Sequence, residues 1–231
     1  MSDIPLEIRY NTRRIGCAYR GGRFSKAIVA LIDINNMPST SFQTWRQRRI
    51  AELDEIENAH QRVGGSQRGR RYATQQINHA YAMLLSSQFQ GFCRDLHSEA
   101  ADHIVRAVDP VVLRPVLRVE FTLNRQLDRG NPHPGVIGAD FNRLGLDFWG
   151  QVHDHDRRNQ TRQNHLDDLN TWRNAIAHQD FDPIRLGGTI RLGLTRVRTW
   201  RTACEHLAVS FDEVMRGHVE HFTGSSPWVN P

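Results

Sequence analysis

The sequence predicts an all-α fold, and three observations favour it. After residue 38, apolar residues recur at the spacing of about 3.6 residues that gives a helix one buried face. Glycine and proline interrupt this pattern at short intervals, as in turns between helices. Hydrophobic residues make up 39% and charged residues 24% of the 231 residues, a balance typical of a globular protein.

Residues 1–38 depart from this pattern, because short apolar runs alternate there with glycines and end at Pro38. We predict an N-terminal arm with a strand or small hairpin around residues 28–34. The arm contains the longest aliphatic run, residues 27–32, which is far shorter than the roughly 20 residues of a membrane span. No part of it is typical of a secretion signal, so we expect a cytoplasmic protein without a membrane partner.

The helical segments follow in order, each bounded by a cap or a breaker. Ser39 to Ser41 offer N-caps for the first helix, and Gly64 ends it. Gly91 is a weak point in the second helix, and Pro110 separates the second helix from the third, which tolerates Pro115 near its start. The predicted helices extend from the first caps to residue 63, and over residues 71–108, 110–127, 139–153, 162–178 and 195–221.

The loops between these helices are marked by turn-forming residues. Residues 129–135, RGNPHPG, form the clearest loop, and residues 181–188 break the pattern again. The polar residues 153–164 predict either an exposed turn or the solvated start of a helix. We therefore expect a helical domain over residues 39–222 and a flexible tail over residues 223–231.

The charge pattern is compatible with a nucleic-acid partner. The net charge is +5, and because Lys26 is the only lysine, 29 of the 30 basic residues are arginine. Arginine binds phosphate bidentately and stacks on bases, although a GC-rich genome would also favour it over lysine. Weak candidates for RNA contacts are two clusters, Arg46, Arg48 and Arg49, and Arg68, Arg70 and Arg71. Trp45 beside the first cluster offers a stacking platform, while a solvated basic helix face is the alternative.

Residues 165–181, HLDDLNTWRNAIAHQDF, contain the best candidate for chemistry. On a helical wheel Leu166, Leu169, Trp172 and Ile176 share the apolar side. Asp167, Thr171, Asn174 and His178 lie on the opposite side, and Arg173 borders the apolar stripe. Asn174 and His178 are four residues apart, so the amide is within reach of an imidazole nitrogen that it would orient.

The segment RNAIAH, from Arg173 to His178, resembles the signature of HEPN proteins, in which an arginine and a histidine are separated by four to six residues. In that family the second position is polar, as is Asn174, and the motif ends a helix of an antiparallel helical bundle. The resemblance covers about residues 40–222. It implies an HEPN-like bundle, and for many members a ribonuclease that needs no metal and no cofactor.

The resemblance also implies roles for the three residues. Arg173 would hold the scissile phosphate, His178 would transfer protons while the RNA 2′-hydroxyl attacks, and Asn174 would orient the histidine. Several family members are toxins or defence effectors, so an antitoxin or another regulatory protein is an expected partner. Arg173 and His178 point about 140° apart on a continuous helix, so either the helix ends near Ala177 and turns His178 back or a second copy supplies the missing group. A homodimer is the expected solution, as in dimeric members of the family.

Other readings remain open. The bare spacing also occurs in Arg201 with His206, Arg216 with His221 and Arg158 with His165. Only Arg173 to His178 combines the polar second position with an amphipathic helix and a helix end. His153 to Asp156 offer metal-ligand types, but a solvated loop is the simpler interpretation. The second class of function is a non-catalytic HEPN-like module that binds RNA or a protein. Cys17, Cys93 and Cys204 form no CxxC pair, and we interpret them as reduced, buried thiols.

Overall fold

The computed structural model describes residues 37–64 and 71–228, and this part of the chain is helical and contains no strand. The all-α prediction is therefore confirmed, while the predicted hairpin lies outside the described residues. The helices are α1 (Thr40–Thr44), α2 (Ile50–Gly64), α3 (Arg71–Ala107), α4 (Arg114–Thr122), α5 (Pro134–Asn142), α6 (Phe148–His155), α7 (Asn159–His178) and α8 (Leu194–Thr223). None of these described helices is long and apolar enough to cross a membrane.

The first predicted helix is confirmed at both ends, with one feature that periodicity does not show. The Ser39 side chain accepts from the Phe42 N–H at 3.0 Å, and α2 extends to Gly64. A π-helical turn, Trp45–Arg49, joins α1 to α2. Trp45 is 1% exposed and packs against aromatic rings of α3, so it is a core residue and not a surface stacking platform.

α3 is continuous through Gly91, which we had expected to weaken it. A Cβ atom at this position would lie 2.5 Å from Nη1 of Arg49, so the missing side chain leaves the space in which that guanidinium lies. α3 packs against α7 and α8, and these three helices surround the largest part of the core. Trp172 and Trp200, one from each of α7 and α8, are fully buried there, as the sequence predicts.

Two predicted helix boundaries are wrong. The third helix ends at Thr122 instead of residue 127, and Asn124 then adopts a left-handed φ of 58°. The predicted helix over residues 139–153 is two helices, because the chain turns at Gly145 with φ 89° and Asp147 caps α6 by accepting from the Gly150 N–H. The break lets buried leucines on both sides of Gly145 face the core, which a single helix would not do.

The packed region also extends beyond the predicted boundary at residue 222. Trp228 is 6% exposed, belongs to the core, and contacts the His103 ring edge-on at 5.1 Å. The chain is therefore anchored against α3 as far as Trp228.

Candidate active site

The two sides of α7 differ in burial as the helical wheel predicts. Leu166, Leu169 and Trp172 are fully buried, and Ile176 is 9% exposed. His178 is exposed on the other side of the helix, at its last position. Burial of the apolar stripe against α3 and α8 therefore holds the polar side in a fixed orientation.

Arg173 is half-buried and contacts the neutral side-chain amide of its neighbour Asn174. Its Nη1 atom donates to Oδ1 of Asn174 at 3.4 Å, a long hydrogen bond. Within the described part of the chain, no carboxylate forms an ion pair with it. The described residues therefore leave its positive charge without an ion-pair partner, as a phosphate-binding group requires.

Asn174 has a different role from the one we predicted. Its Oδ1 accepts from Nδ2 of Asn131 as well as from Arg173, and among the described residues it forms no hydrogen bond with His178. The predicted orientation of His178 by Asn174 is thus absent from the structure. The amide instead connects Arg173 to the loop that contains Asn131.

That loop is fastened along α7 by three contacts, and we call residues 131–133 the strap. Asn131 bonds Asn174, the Pro132 carbonyl accepts from Nδ2 of Asn170 at 2.9 Å, and Nε2 of His133 lies 2.8 Å from Oδ1 of Asp167. The three α7 partners are spaced by three and four residues and so share one face. The strap therefore covers part of the polar side of α7 and positions Asn174 beside Arg173.

His178 is presented by a well-defined helix end. Gln179 adopts the left-handed conformation with φ 56°. The Asp180 N–H donates to the Ala175 carbonyl at 3.0 Å and the Gln179 N–H to the Ile176 carbonyl at 3.4 Å, which is the Schellman pattern. In the described residues, no group hydrogen-bonds the His178 imidazole. Both ring nitrogens are therefore open to solvent or to a ligand.

The relative orientation of Arg173 and His178 bears on how they act together. α7 includes His178 as its last helical residue, so the helix does not end earlier and turn the imidazole back. On a continuous helix, five residues separate the two directions by about 140° and the two Cα atoms by about 7.5 Å along the axis. One chain therefore aims these two groups at different regions of its surroundings.

The three other arginine–histidine pairs differ at the arginine. Arg201 pairs with Asp54 at 2.6 Å and Glu205 at 2.8 Å, and Arg158 pairs with Asp156 at 2.9 Å. Arg216 pairs with Glu213. Each of these guanidinium groups is neutralised by a carboxylate of the chain, which distinguishes it from Arg173.

Arginines of the first cluster, which we predicted to contact RNA, instead contact other residues of the protein. Arg49 is 18% exposed and bonds Asp95 at 2.6 Å and Gln88 at 2.7 Å, so it holds the π-helical turn to α3. Arg48 pairs with Glu52, and Arg46 lies over the Phe42 ring. From the second cluster, Arg68, Arg70 and the side chain of Arg71 lie outside what the structure describes.

The side chains of His153 and Asp156, in the segment considered as an alternative metal site, bind separate partners. Nε2 of His153 bonds Gln163 at 2.8 Å, whereas Asp156 pairs with Arg158 and Arg162. Hydrogen bonds from Arg158 hold the pKa of Asp156 well below its usual range. The described residues contain no group of three or more histidine, cysteine or acidic side chains placed to hold a metal ion.

The cysteines of the described chain agree with the prediction. Cys93 and Cys204 are free and buried, and burial raises the pKa of both thiols. Cys17 lies outside the described residues.

Comparisons with known proteins add no relative: no family model matches the chain, and no match was found among curated proteins or solved structures.

Proposed function

We propose that this protein is a metal-independent endoribonuclease of the HEPN type, with Arg173 and His178 as its catalytic residues. The observation that carries the proposal is the state of these two side chains. Arg173 has no carboxylate partner among the described residues, and His178 is exposed and unbonded at the end of the same helix. A cation and an acid–base group left open to solvent match the needs of phosphodiester cleavage.

In the proposed reaction, an imidazole takes the proton from the 2′-hydroxyl while the 2′-oxygen attacks the adjacent phosphorus. The bond from phosphorus to the 5′-oxygen breaks, and an imidazolium gives a proton to the leaving oxygen. Arg173 binds the phosphate and stabilises the charge that develops on it. The products are a 2′,3′-cyclic phosphate and a 5′-hydroxyl end.

The working unit in this proposal is a homodimer whose two α7 motifs face one cleft. The angle of about 140° keeps Arg173 and His178 of one chain from gripping the same phosphate. A twofold axis near the motif would place Arg173 of one copy beside His178 of the other. The strap supports such a cleft by fixing Asn174, and through it Arg173. A toxin or defence role, with an antitoxin partner, rests on the family resemblance.

The proposal is tested by incubating pure protein with total RNA in EDTA. We expect cleavage to 2′,3′-cyclic phosphate ends, and no cleavage by His178→Ala. His206→Ala is the matched control, because His206 has the same spacing from an arginine but should not affect cleavage. Binding without cleavage would instead indicate a non-catalytic RNA-binding module. Cleavage only after addition of a divalent metal would contradict the proposed mechanism.

A further inference from the structure

A second arginine, Arg129, lies next to the strap and resembles Arg173 in its contacts. It precedes Asn131 by two residues, so the Cα atoms of these two residues lie at most about 7.6 Å apart. Arg129 is exposed, and its Nη2 atom donates to Oδ1 of Asn124 at 2.9 Å. Among the residues that the structure describes, no carboxylate forms an ion pair with it. Arg129 is therefore held by a neutral amide, as Arg173 is.

A third arginine, Arg143, extends this arrangement. Its Nη1 atom donates at 2.9 Å to the carbonyl of Leu123, the residue before Asn124, and its Nη2 atom donates to a second backbone carbonyl. Arg129 and Arg143 therefore hold consecutive residues of the chain, which brings their guanidinium groups into one region. In the described part of the chain, Arg143 also forms no ion pair with a carboxylate. We call Arg173, Arg129 and Arg143 the arginine row.

The carboxylates closest to the strap give the row a direction. Asp128 accepts from Nε and Nη2 of the buried Arg125, at 3.2 Å and 2.8 Å, so its charge is compensated within the fold. Asp167, which contacts His133 at the other end of the strap, is 54% exposed. Phosphates are repelled by a carboxylate and attracted by a guanidinium over a distance of roughly 8–10 Å at physiological salt. A polyanion at the motif is therefore favoured toward Arg129 and disfavoured toward Asp167.

From this arrangement we infer that the RNA strand runs from the scissile phosphate at Arg173 to Arg129 and Arg143, which bind backbone phosphates on one side of the cleavage site. The inference rests on the proposed function, because it assigns a path to the substrate of that reaction. An amide or carbonyl oxygen fixes a guanidinium without neutralising it. The arginines of the row are thus already positioned, and they lose little side-chain entropy when a phosphate binds.

The path is tested by RNA binding in the His178→Ala chain, which should not cleave. The measurement is the anisotropy of a labelled oligoribonucleotide in EDTA at several salt concentrations. Each phosphate contact contributes about 0.7 to the slope of log affinity against log salt for a single strand, so Arg129→Ser/Arg143→Ser should make this slope shallower by about 1.4. Arg118→Ser/Arg198→Ser is the matched control and should leave the slope unchanged, because each of these exposed arginines pairs with a carboxylate.

Arg129→Lys/Arg143→Lys separates the effect of charge from an effect on the fold. Lysine keeps the positive charge but loses the fork of the guanidinium, so this variant should retain the slope of the His178→Ala protein. An unchanged slope in the serine variant would overturn the inference even if the wild type cleaves RNA in EDTA. An equal loss of slope in the control or the lysine variant would also overturn it.

The same measurements separate the path from the nuclease activity. If the wild type binds RNA without cleaving it and the serine variant has the shallower slope, the path stands and the nuclease proposal fails. If neither the wild type nor the His178→Ala protein binds RNA, both fail.

Discussion

Arg173 with His178 in α7 and Arg201 with His206 in α8 have the same sequence spacing and different surroundings. The Arg201 side chain is 14% exposed, and its guanidinium contacts Asp54, Glu57, Glu205 and the Tyr81 hydroxyl. Arg173 contacts a neutral amide. Both histidines are exposed, so the difference lies in the arginines.

This comparison shows that the role of an arginine–histidine motif depends on whether a carboxylate of the chain pairs with its arginine. An arginine surrounded by carboxylates of its own chain contributes to stability, and a phosphate would have to displace those partners to reach it. An arginine bonded only to an amide keeps its charge for an external anion.

The largest effect is expected on RNA cleavage. His178→Ala and Arg173→Ala should each lower the rate by at least about 100-fold, because each removes a proton-transferring group or a phosphate ligand. His206→Ala should leave the rate within about twofold of the wild type. The measurement is the initial rate of product formation at saturating protein. Equal losses for His178→Ala and His206→Ala would break the comparison.

The second effect is expected on the free energy of unfolding, which Arg201→Ala should lower more than Arg173→Ala. Arg201→Ala should lower the free energy of unfolding by about 3 kcal/mol, because it leaves partly buried carboxylates without their cation. Arg173→Ala should lower it by about 1 kcal/mol or less. Urea denaturation of the two variants measures this difference. A larger loss for Arg173→Ala would assign that residue to the core instead of the site.

The Arg201 centre should also have a distinct pH dependence. Burial acts to raise the pKa of Glu57, but hydrogen bonds from Tyr81 and Arg198 outweigh it and place that pKa below the ordinary 4.5. Ionised Glu57 therefore stabilises the fold above pH 4.5, and this contribution is lost as the pH falls through the lowered pKa.

Glu57→Gln removes that contribution. The variant should be less stable than the wild type by about 1 kcal/mol at pH 7, and the difference should shrink on acidification below pH 4.5. Unfolding free energies measured at pH 7 and pH 3.5 test this. A difference that stays constant over this range would show that Glu57 does not contribute through its charge.

The smallest effect is expected at the helix end that presents His178. Gln179 is a non-glycine residue at φ 56°, and its side chain donates to the Ile176 carbonyl at 2.7 Å. Gln179→Gly should raise the free energy of unfolding by about 0.5–1 kcal/mol, because glycine adopts this conformation without strain. Gln179→Ala, which keeps the strain and loses the hydrogen bond, should lower it. Thermal melting of both variants distinguishes the backbone effect from the side-chain effect.

Features that depend on residues close together in the sequence could be predicted, whereas features that depend on contacts between distant residues could not. Periodicity and caps predict α3, α7 and α8 to within a few residues, and the burial of Leu166, Leu169 and Trp172 follows from the same pattern. The break at Gly145 was missed, because glycine in an apolar stretch is compatible with a helix until tertiary packing requires a turn.

The residues of the candidate site stay a prediction, and the sequence did not indicate the contacts that surround them. The hydrogen bond between Asn131 and Asn174 joins positions 43 residues apart, and no local sequence pattern indicates it. Likewise Arg49 belongs to a run of arginines that looks solvated, yet the absence of a side chain at Gly91 creates the space that it fills. The role of such an arginine is visible only from the residues that pack against it. Charge clusters in the sequence therefore overestimate the charge that is exposed.

The most direct test of the central claim is complementation between two inactive variants. Arg173→Ala retains His178, and His178→Ala retains Arg173, so a dimer of one copy of each contains one complete cleft if the two groups act from different chains. Statistical exchange makes about half of the dimers mixed. We therefore predict that the 1:1 mixture recovers roughly a quarter to a half of the wild-type cleavage rate per chain. A mixture shown by mass to contain mixed dimers, but no more active than either variant alone, would contradict a site shared between two copies.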